Sequence, residues 1–159
     1  MSPTFSKRLI WTNPWVFIAC GFGVGALPVM PGTYGTMLGV LLAWSLQSLS
    51  LLSYAGVLVL LFLLGVALCG YANRQFGTDD HPAAVWDEVV TFPWVMLGVP
   101  WDAWHVLFGF LLFRFFDIKK PGPIGWVDKH CHGGWGVMLD DVLAALASCL
   151  VLQLWDGLF

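Results

Sequence analysis

The residues of this chain that could do chemistry are its acids and their few cationic neighbours. Asp87 and Glu88 stand side by side in an otherwise apolar run, AAVWDEVV. Two adjacent carboxylates in such surroundings are costly unless they are paired or bound to a cation. Neighbouring helical residues point about 100° apart, so one can ligate a metal while the other braces the site. Asp140 and Asp141 repeat the pairing behind a glycine-rich stretch, HGGWGV. They could also cap a helix, although one acid would suffice for that. Arg114 precedes Asp117 by three residues, which puts both on one helix face. Arg114 also ends a long apolar run, where a guanidinium suits two-point contact with a phosphate or carboxylate. Lys119 and Lys120 follow: Lys119 reads as a snorkelling interface cation, and Lys120 as a second phosphate contact. Asp79 reads as solvated. Asp80 stands between a solvated helix start and a functional acid.

Oxygen-only ligands of this kind suit Mg²⁺, which takes carboxylates together with substrate phosphate oxygens. Other signals are weaker. His130-Cys131-His132 invites a zinc reading, but structural zinc needs about four spaced ligands. His105 lies in an apolar run and reads as packing. Gly21-Phe22-Gly23-Val24-Gly25 lacks the spacing of a dinucleotide fingerprint; Gly21 and Gly25 fit helix packing instead. PGTYGT (31–36) reads as a turn and helix start, with Thr33 or Thr36 as the cap. Its amides and hydroxyls could hold an anion.

The elements that must position these residues are apolar. The chain has 159 residues, of which 58% are hydrophobic and only 11% charged. A soluble domain carries about a quarter charged residues, so an integral membrane protein is expected. The ten tryptophans fit the two membrane interfaces. A net charge of −3 without a basic patch argues against a nucleic-acid partner. The four cysteines form no CxxC pair and imply no disulfide framework. The N-terminus does not read as a cleaved signal peptide.

Along the chain, residues 14–30 are apolar but broken by glycines and Pro28, which predicts an interfacial or re-entrant segment as readily as a span. Residues 37–52 and 53–71 form a predicted helical hairpin with its turn near 48–53. A polar break covers 72–82. Apolar segments follow at 83–99 and 103–116, then a loop, then a helix over 137–154. The fold class is all-α: a polytopic helical membrane protein of about four to five membrane helices, built as one domain over 1–159. Lys7, Arg8, Arg74, Lys119, Lys120 and Lys129 fall on the side of the acidic loops, which the positive-inside rule places in the cytoplasm. Acids for a hard cation, an Arg and a Lys for phosphate, and a membrane body together suggest chemistry on a lipid phosphate. The alternative is a transporter or channel subunit using the buried acids as a cation or proton path.

Four blocks carry a resemblance: GFGVGALPVMPGTYGT (21–36), DDHPAAVWDEVV (79–90), FRFFDIKKPGPIGWVD (113–128) and HGGWGVMLDDVLA (132–144). In order and spacing they resemble the phosphatidylglycerophosphatase A family. The resemblance implies a Mg²⁺-dependent phosphatase of the bacterial inner membrane, acting on a phospholipid partner, phosphatidylglycerophosphate, to give phosphatidylglycerol. It implies Asp80, Asp87, Glu88, Arg114, Asp117, Lys120, Asp140 and Asp141 as functional residues, and it matches Thr33 and Thr36. Combined with the residue reading, Asp117, Glu88 and Asp80 are expected in catalysis. Arg114, Lys120, Thr33 and Thr36 are expected on phosphate, and Asp87, Glu88, Asp140 and Asp141 on the metal. Asp117 could serve as base or as nucleophile. Thr91, Gly122 and Ala145 depart from the family's usual Gly, Trp and Gly.

Overall fold

The computed structural model describes residues 3–158, with side chains from Arg8 onward; the side chain of Lys7 lies outside the described residues. Every regular element among them is helical. α1 (Pro3–Thr12) and the short α2 (Pro14–Ala19) lead through a 3-10 turn (Val24–Ala26) to α3 (Pro31–Leu46), α4 (Leu51–Phe76) and α5 (Trp86–Val95). Then come α6 (Ala103–Lys119), α7 (Pro123–His130) and α8 (Gly133–Leu158). Only α4 and α8, at 26 residues each, are long and apolar enough by themselves to cross a bilayer among the described residues.

Local chemistry sets most of these boundaries. Asn13 caps α2, its side-chain oxygen accepting from the amides of Trp15 and Val16 ahead of Pro14. Ser50 caps α4 by accepting from the amide of Ser53, and Gly77 ends it in the left-handed conformation. Asp102 caps α6 through the amides of Trp104 and His105.

Several boundaries differ from those read in the sequence. The hairpin turn falls at residues 47–50, between α3, which starts early at Pro31, and α4. α4 runs on to Phe76, so the polar break begins only at Gly77. Neither Thr33 nor Thr36 caps α3: the cap position is Met30, and the Thr36 hydroxyl donates to Gly32 O inside the helix at 2.9 Å. The 83–99 segment holds only the ten-residue α5, and most of that helix is buried among its neighbours. The loop after Asp117 contains a helix, α7. The Gly133-Gly134 pair does not stay a loop but starts α8.

α8 is the central post, packed by α4, α5, α6 and α7, while α3 packs on α5. That last contact is made of glycines. Gly32, Gly35 and Gly39 recur along one face of α3. A Cβ at Gly35 would meet Val85 Cβ at 2.9 Å, and one at Gly39 would meet Phe92 Cβ at 2.7 Å and Glu88 O at 2.9 Å. Small residues let two backbones approach this closely. The pair expected in that role is used otherwise. Gly21 sits in a turn at φ +58°, and a Cβ on Gly25 would collide with the carbonyl of Ala83 at 1.9 Å.

Packing partners show the end at which each helix starts. Gly32 in the first turn of α3 lies by Glu88 in the first turn of α5, while Gly70 near the end of α4 lies by Gly134 at the start of α8. At the opposite end, His105 bonds Asp102 Oδ2 at 2.6 Å and Asp156 Oδ1 at 2.8 Å. The expectation that His105 merely packs is thereby corrected. It ties the start of α6 to the last turns of α8.

Gly39→Ala tests the α3–α5 contact. Alanine gains about 1 kcal/mol of helix propensity over glycine, but overpacking against fixed backbone costs about 1–3 kcal/mol. The expected net result is a lower unfolding midpoint in detergent. Gly56→Ala, whose Cβ would meet nothing within 4 Å, should leave the midpoint unchanged or raise it.

Candidate active site

α5 begins just after the 77–85 loop, and its first turn carries Asp87 and Glu88. α6 brings Arg114 and Asp117 in its last turns. Asp140 and Asp141 lie in the second and third turns of α8, past the cap positions, so capping does not account for them. The three helix segments meet at one end of the bundle. A cavity of about 90 Å³ there is lined by Asp80, Asp87, Glu88, Asp117, Lys120, Asp140 and Asp141, along with His81. A path of charges along the bilayer is therefore not favoured.

Within the cavity, carboxylate oxygens of Asp87, Glu88 and Asp141 all lie within 4.8 Å of one another. Three carboxylates so close in a poorly solvated place cannot all stay ionised without a cation. Asp140 is placed differently. Its Oδ2 accepts from Lys120 Nζ at 2.5 Å, and Lys120 also bonds Asp128 Oδ1 at 2.5 Å. Arg114 Nη1 donates to Asp117 Oδ2 at 2.5 Å and lies 3.6 Å from Glu88 Oε1. The first turn of α3 presses on this group: a Cβ at Gly32 would sit 2.0 Å from Glu88 Oε1 and 3.3 Å from Arg114 Nη1. Thr33 lies in that turn, next to Gly32. Thr36 is fully buried and bonded within its own helix, away from the cavity lining.

The unsatisfied atoms are informative. Buried side-chain polar atoms normally find partners. Among the described residues seven do not, and five of these belong to residues singled out from the sequence: Thr33 Oγ1, Glu88 Oε2, Arg114 Nε, Asp140 Oδ1 and Asp141 Oδ2. They divide by chemistry. The carboxylate oxygens lack a cation or donor, and the guanidinium N–H and threonine hydroxyl lack an acceptor.

Two further residues shape the site without an earlier signal. Asn73, buried in α4, donates from Nδ2 to Asp79 O at 2.9 Å and accepts at Oδ1 from the His81 amide at 3.1 Å. It thus holds the loop that carries Asp80. In the sequence Asn73 stands beside Arg74 and Gln75 in the polar break, with nothing to single it out. Asp128, on α7, holds Lys120; only its place in the charged stretch hinted at this. Asp80 itself is exposed at the mouth of the cavity. His132 borders a second, smaller cavity with Asp79, Asp80, Asp128 and Asp140, and His130 stacks on Trp126.

His81 stacks on Phe76 at 4.0 Å, and its Nδ1 accepts from the Ala83 amide at 3.1 Å. Burial lowers its pKa from the ordinary histidine value, against the opposing charge of Asp80. A histidine held neutral favours the fold above its unfolded pKa, about 6.5. That contribution is lost as pH falls from there through the lower folded value.

The profile of the family described as Phosphatidylglycerophosphatase A matches residues 17–156. A protein of Escherichia coli (strain K12) named phosphatidylglycerophosphatase A is 37% identical over 147 residues, covering 92% of this chain and 86% of the relative. One of the same name from Haemophilus influenzae Rd is 40% identical, covering 94% of each. A Bacteroides thetaiotaomicron protein, provisionally named a phosphatidylinositol-3-phosphatase, is 36% identical over 86% of this chain and 90% of its own length. No solved structure matches the chain.

For His81, the unfolding midpoint in detergent should fall between pH 7 and pH 5. His81→Phe, which keeps the ring stack but cannot titrate, should show a shallower fall over the same interval.

Proposed function

Since the chain belongs to the phosphatidylglycerophosphatase A family, we propose that it is a membrane phosphatase that removes the terminal phosphate of phosphatidylglycerophosphate, leaving phosphatidylglycerol. The observation that carries this reading is the pairing of unsatisfied acceptors on Glu88, Asp140 and Asp141, which line one cavity, with the unsatisfied N–H of Arg114, which bonds Asp117 of the same lining. A phosphomonoester bound beside a divalent cation would supply what each set lacks.

Asp87, Glu88 and Asp141 fit Mg²⁺: they are oxygen donors, mutually close, and two of them have an oxygen without a partner. When bound, Mg²⁺ would neutralise phosphate charge and polarise the P–O bonds. Everything else falls to the chain's own side chains. Arg114 and Lys120 are the cations for the phosphate oxygens, with Thr33 as a neutral donor. For Lys120 to serve, a phosphate oxygen takes the place of one of its two carboxylates. Asp117, bonded to Arg114 at 2.5 Å, would take the proton of an attacking water or attack phosphorus itself. In the hydrolytic route a water oxygen bonds to phosphorus, the bond from phosphorus to the glycerol oxygen breaks, and that oxygen leaves as a hydroxyl after gaining a proton. Asp80 at the cavity mouth is the candidate donor. Thr36 acts only by supporting the first turns of α3.

The membrane reading extends in the same way. α3 and α6, with 16 and 17 residues, rise about 24 and 26 Å. With α4 and α8 they would make four membrane helices, and α5 a fifth, shorter one. α1 and α2 would lie at the interface. Arg8, Arg74, Lys119, Lys120 and Lys129 belong to the site end or its loops, which favours a cytoplasmic site in a bacterial inner membrane.

Purified protein should release phosphate from phosphatidylglycerophosphate in Mg²⁺ and stop in EDTA. Arg114→Ala and Asp87→Asn should each lower kcat/KM by about 100-fold or more, the scale of losing an electrostatic contact to the transition state. Folded protein that releases no phosphate under any divalent cation would end the proposal. Asp141→Asn should separate stability from activity. With EDTA present it should unfold at a higher temperature than wild type, because one repelling charge is gone, yet it should turn over little substrate.

A further inference from the structure

Beside the polar cavity runs an apolar one of about 280 Å³, lined by Phe116, Pro121, Gly122, Ile124, Leu143 and Ala147. Its position relative to the chemistry follows from the helices. Phe116 precedes Asp117, and Pro121 follows Lys120. Leu143 and Ala147 lie three and seven residues beyond Asp140 on α8, so they continue the face of that helix that carries Asp140. The groove therefore opens where the Lys120–Asp140 ion pair ends, and it runs along α8 towards the apolar middle of the bundle. Gly122 leaves one wall low: a Cβ there would meet nothing within 4 Å. At the rim, Lys119 is exposed and makes no ion pair among the described residues.

The geometry points to this groove as the seat of an acyl chain of the lipid whose phosphate enters the adjacent cavity, an inference that rests on the proposed lipid phosphatase reading. Three observations favour that occupant. The lining is apolar, as a hydrocarbon chain requires. The volume is near the lower limit of ligand pockets, about 300 Å³, which suits a segment of one chain rather than a whole lipid. The groove residues Phe116 and Pro121 also adjoin Asp117 and Lys120 of the polar cavity in the chain, so an anionic headgroup and its tail could be held at once. Held in this way, the tail would fix how far the headgroup reaches towards Asp117. Leu143 and Ala147 would then decide whether the enzyme distinguishes a lipid from a soluble phosphomonoester.

Filling the groove tests the assignment. Ala147→Trp and Leu143→Trp would be assayed in detergent with Mg²⁺ against dioleoyl phosphatidylglycerophosphate and against its deacylated, water-soluble counterpart. The expected result is a KM for the diacyl lipid raised about tenfold, equivalent to about 1.4 kcal/mol, with kcat/KM for the deacylated compound within about twofold of wild type. Equal losses on both substrates in variants that keep the wild-type unfolding midpoint would overturn the inference, and so would no change on either. A change of oligomeric size without substrate discrimination would also overturn it, and would assign the groove to a second copy of the chain. Ala147→Leu, a milder filling, should give the same discrimination in smaller measure if the tryptophan variants do not fold. A wild-type protein inactive on both substrates takes down the phosphatase reading itself, whereas an active wild type with indifferent variants takes down only the groove.

Discussion

The repulsion among Asp87, Glu88 and Asp141 is the constraint around which the rest of this structure is arranged. Their oxygens crowd within 4.8 Å, in a place where water screens them poorly. Left alone, such a group must either take up protons or force its helices apart. Packing elsewhere must hold them: the glycine face of α3 against α5, and the contact of α4 with α8 through Gly65, Gly70 and Gly134. At Gly39 and Gly134 the neighbours include backbone atoms, which cannot relax by turning a side chain. A cation bound as proposed would find its acids already gathered, because the surrounding helices keep them from separating.

Charge neutralisation inside the site is divided between two devices. Asp117 and Asp140 have protein partners, Arg114 and Lys120. Asp87, Glu88 and Asp141 share no such partner beyond the longer contact of Glu88 with Arg114. Sequence spacing alone grouped Asp140 with Asp141 as like residues. The fold separates them, since neighbours on a helix face different ways: one faces α5, and the other faces the end of α6. The same division lets Asp140 and Asp141 both be buried although they adjoin in the chain.

Much of this was legible before any coordinates. Acids in apolar runs announce themselves, because few reasons exist to put them there. Asp87, Glu88, Asp117, Lys120, Asp140 and Asp141 all line one cavity. What could not be read were relations that need distance. Nothing about Gly32 in the sequence says that it lies against Glu88, and nothing about Asp128 says that it reaches Lys120. Helix ends were misplaced where two signals competed. The threonines of PGTYGT looked like caps, but Pro31 already starts the helix and Thr36 turns inward to its own backbone. His105 looked apolar by its neighbours in sequence, yet its partner Asp156 is distant in the chain and close in space.

The order in which the chain supplies its acids has a consequence for biosynthesis. Asp87 and Glu88 emerge first, Arg114 and Asp117 next, and Asp140 and Asp141 only with α8. No nascent intermediate lacking that last helix holds the whole cluster of Asp87, Glu88 and Asp141. On the reading proposed above, a ribosome-bound chain would therefore stay inactive until α8 packs against α4, α5 and α6.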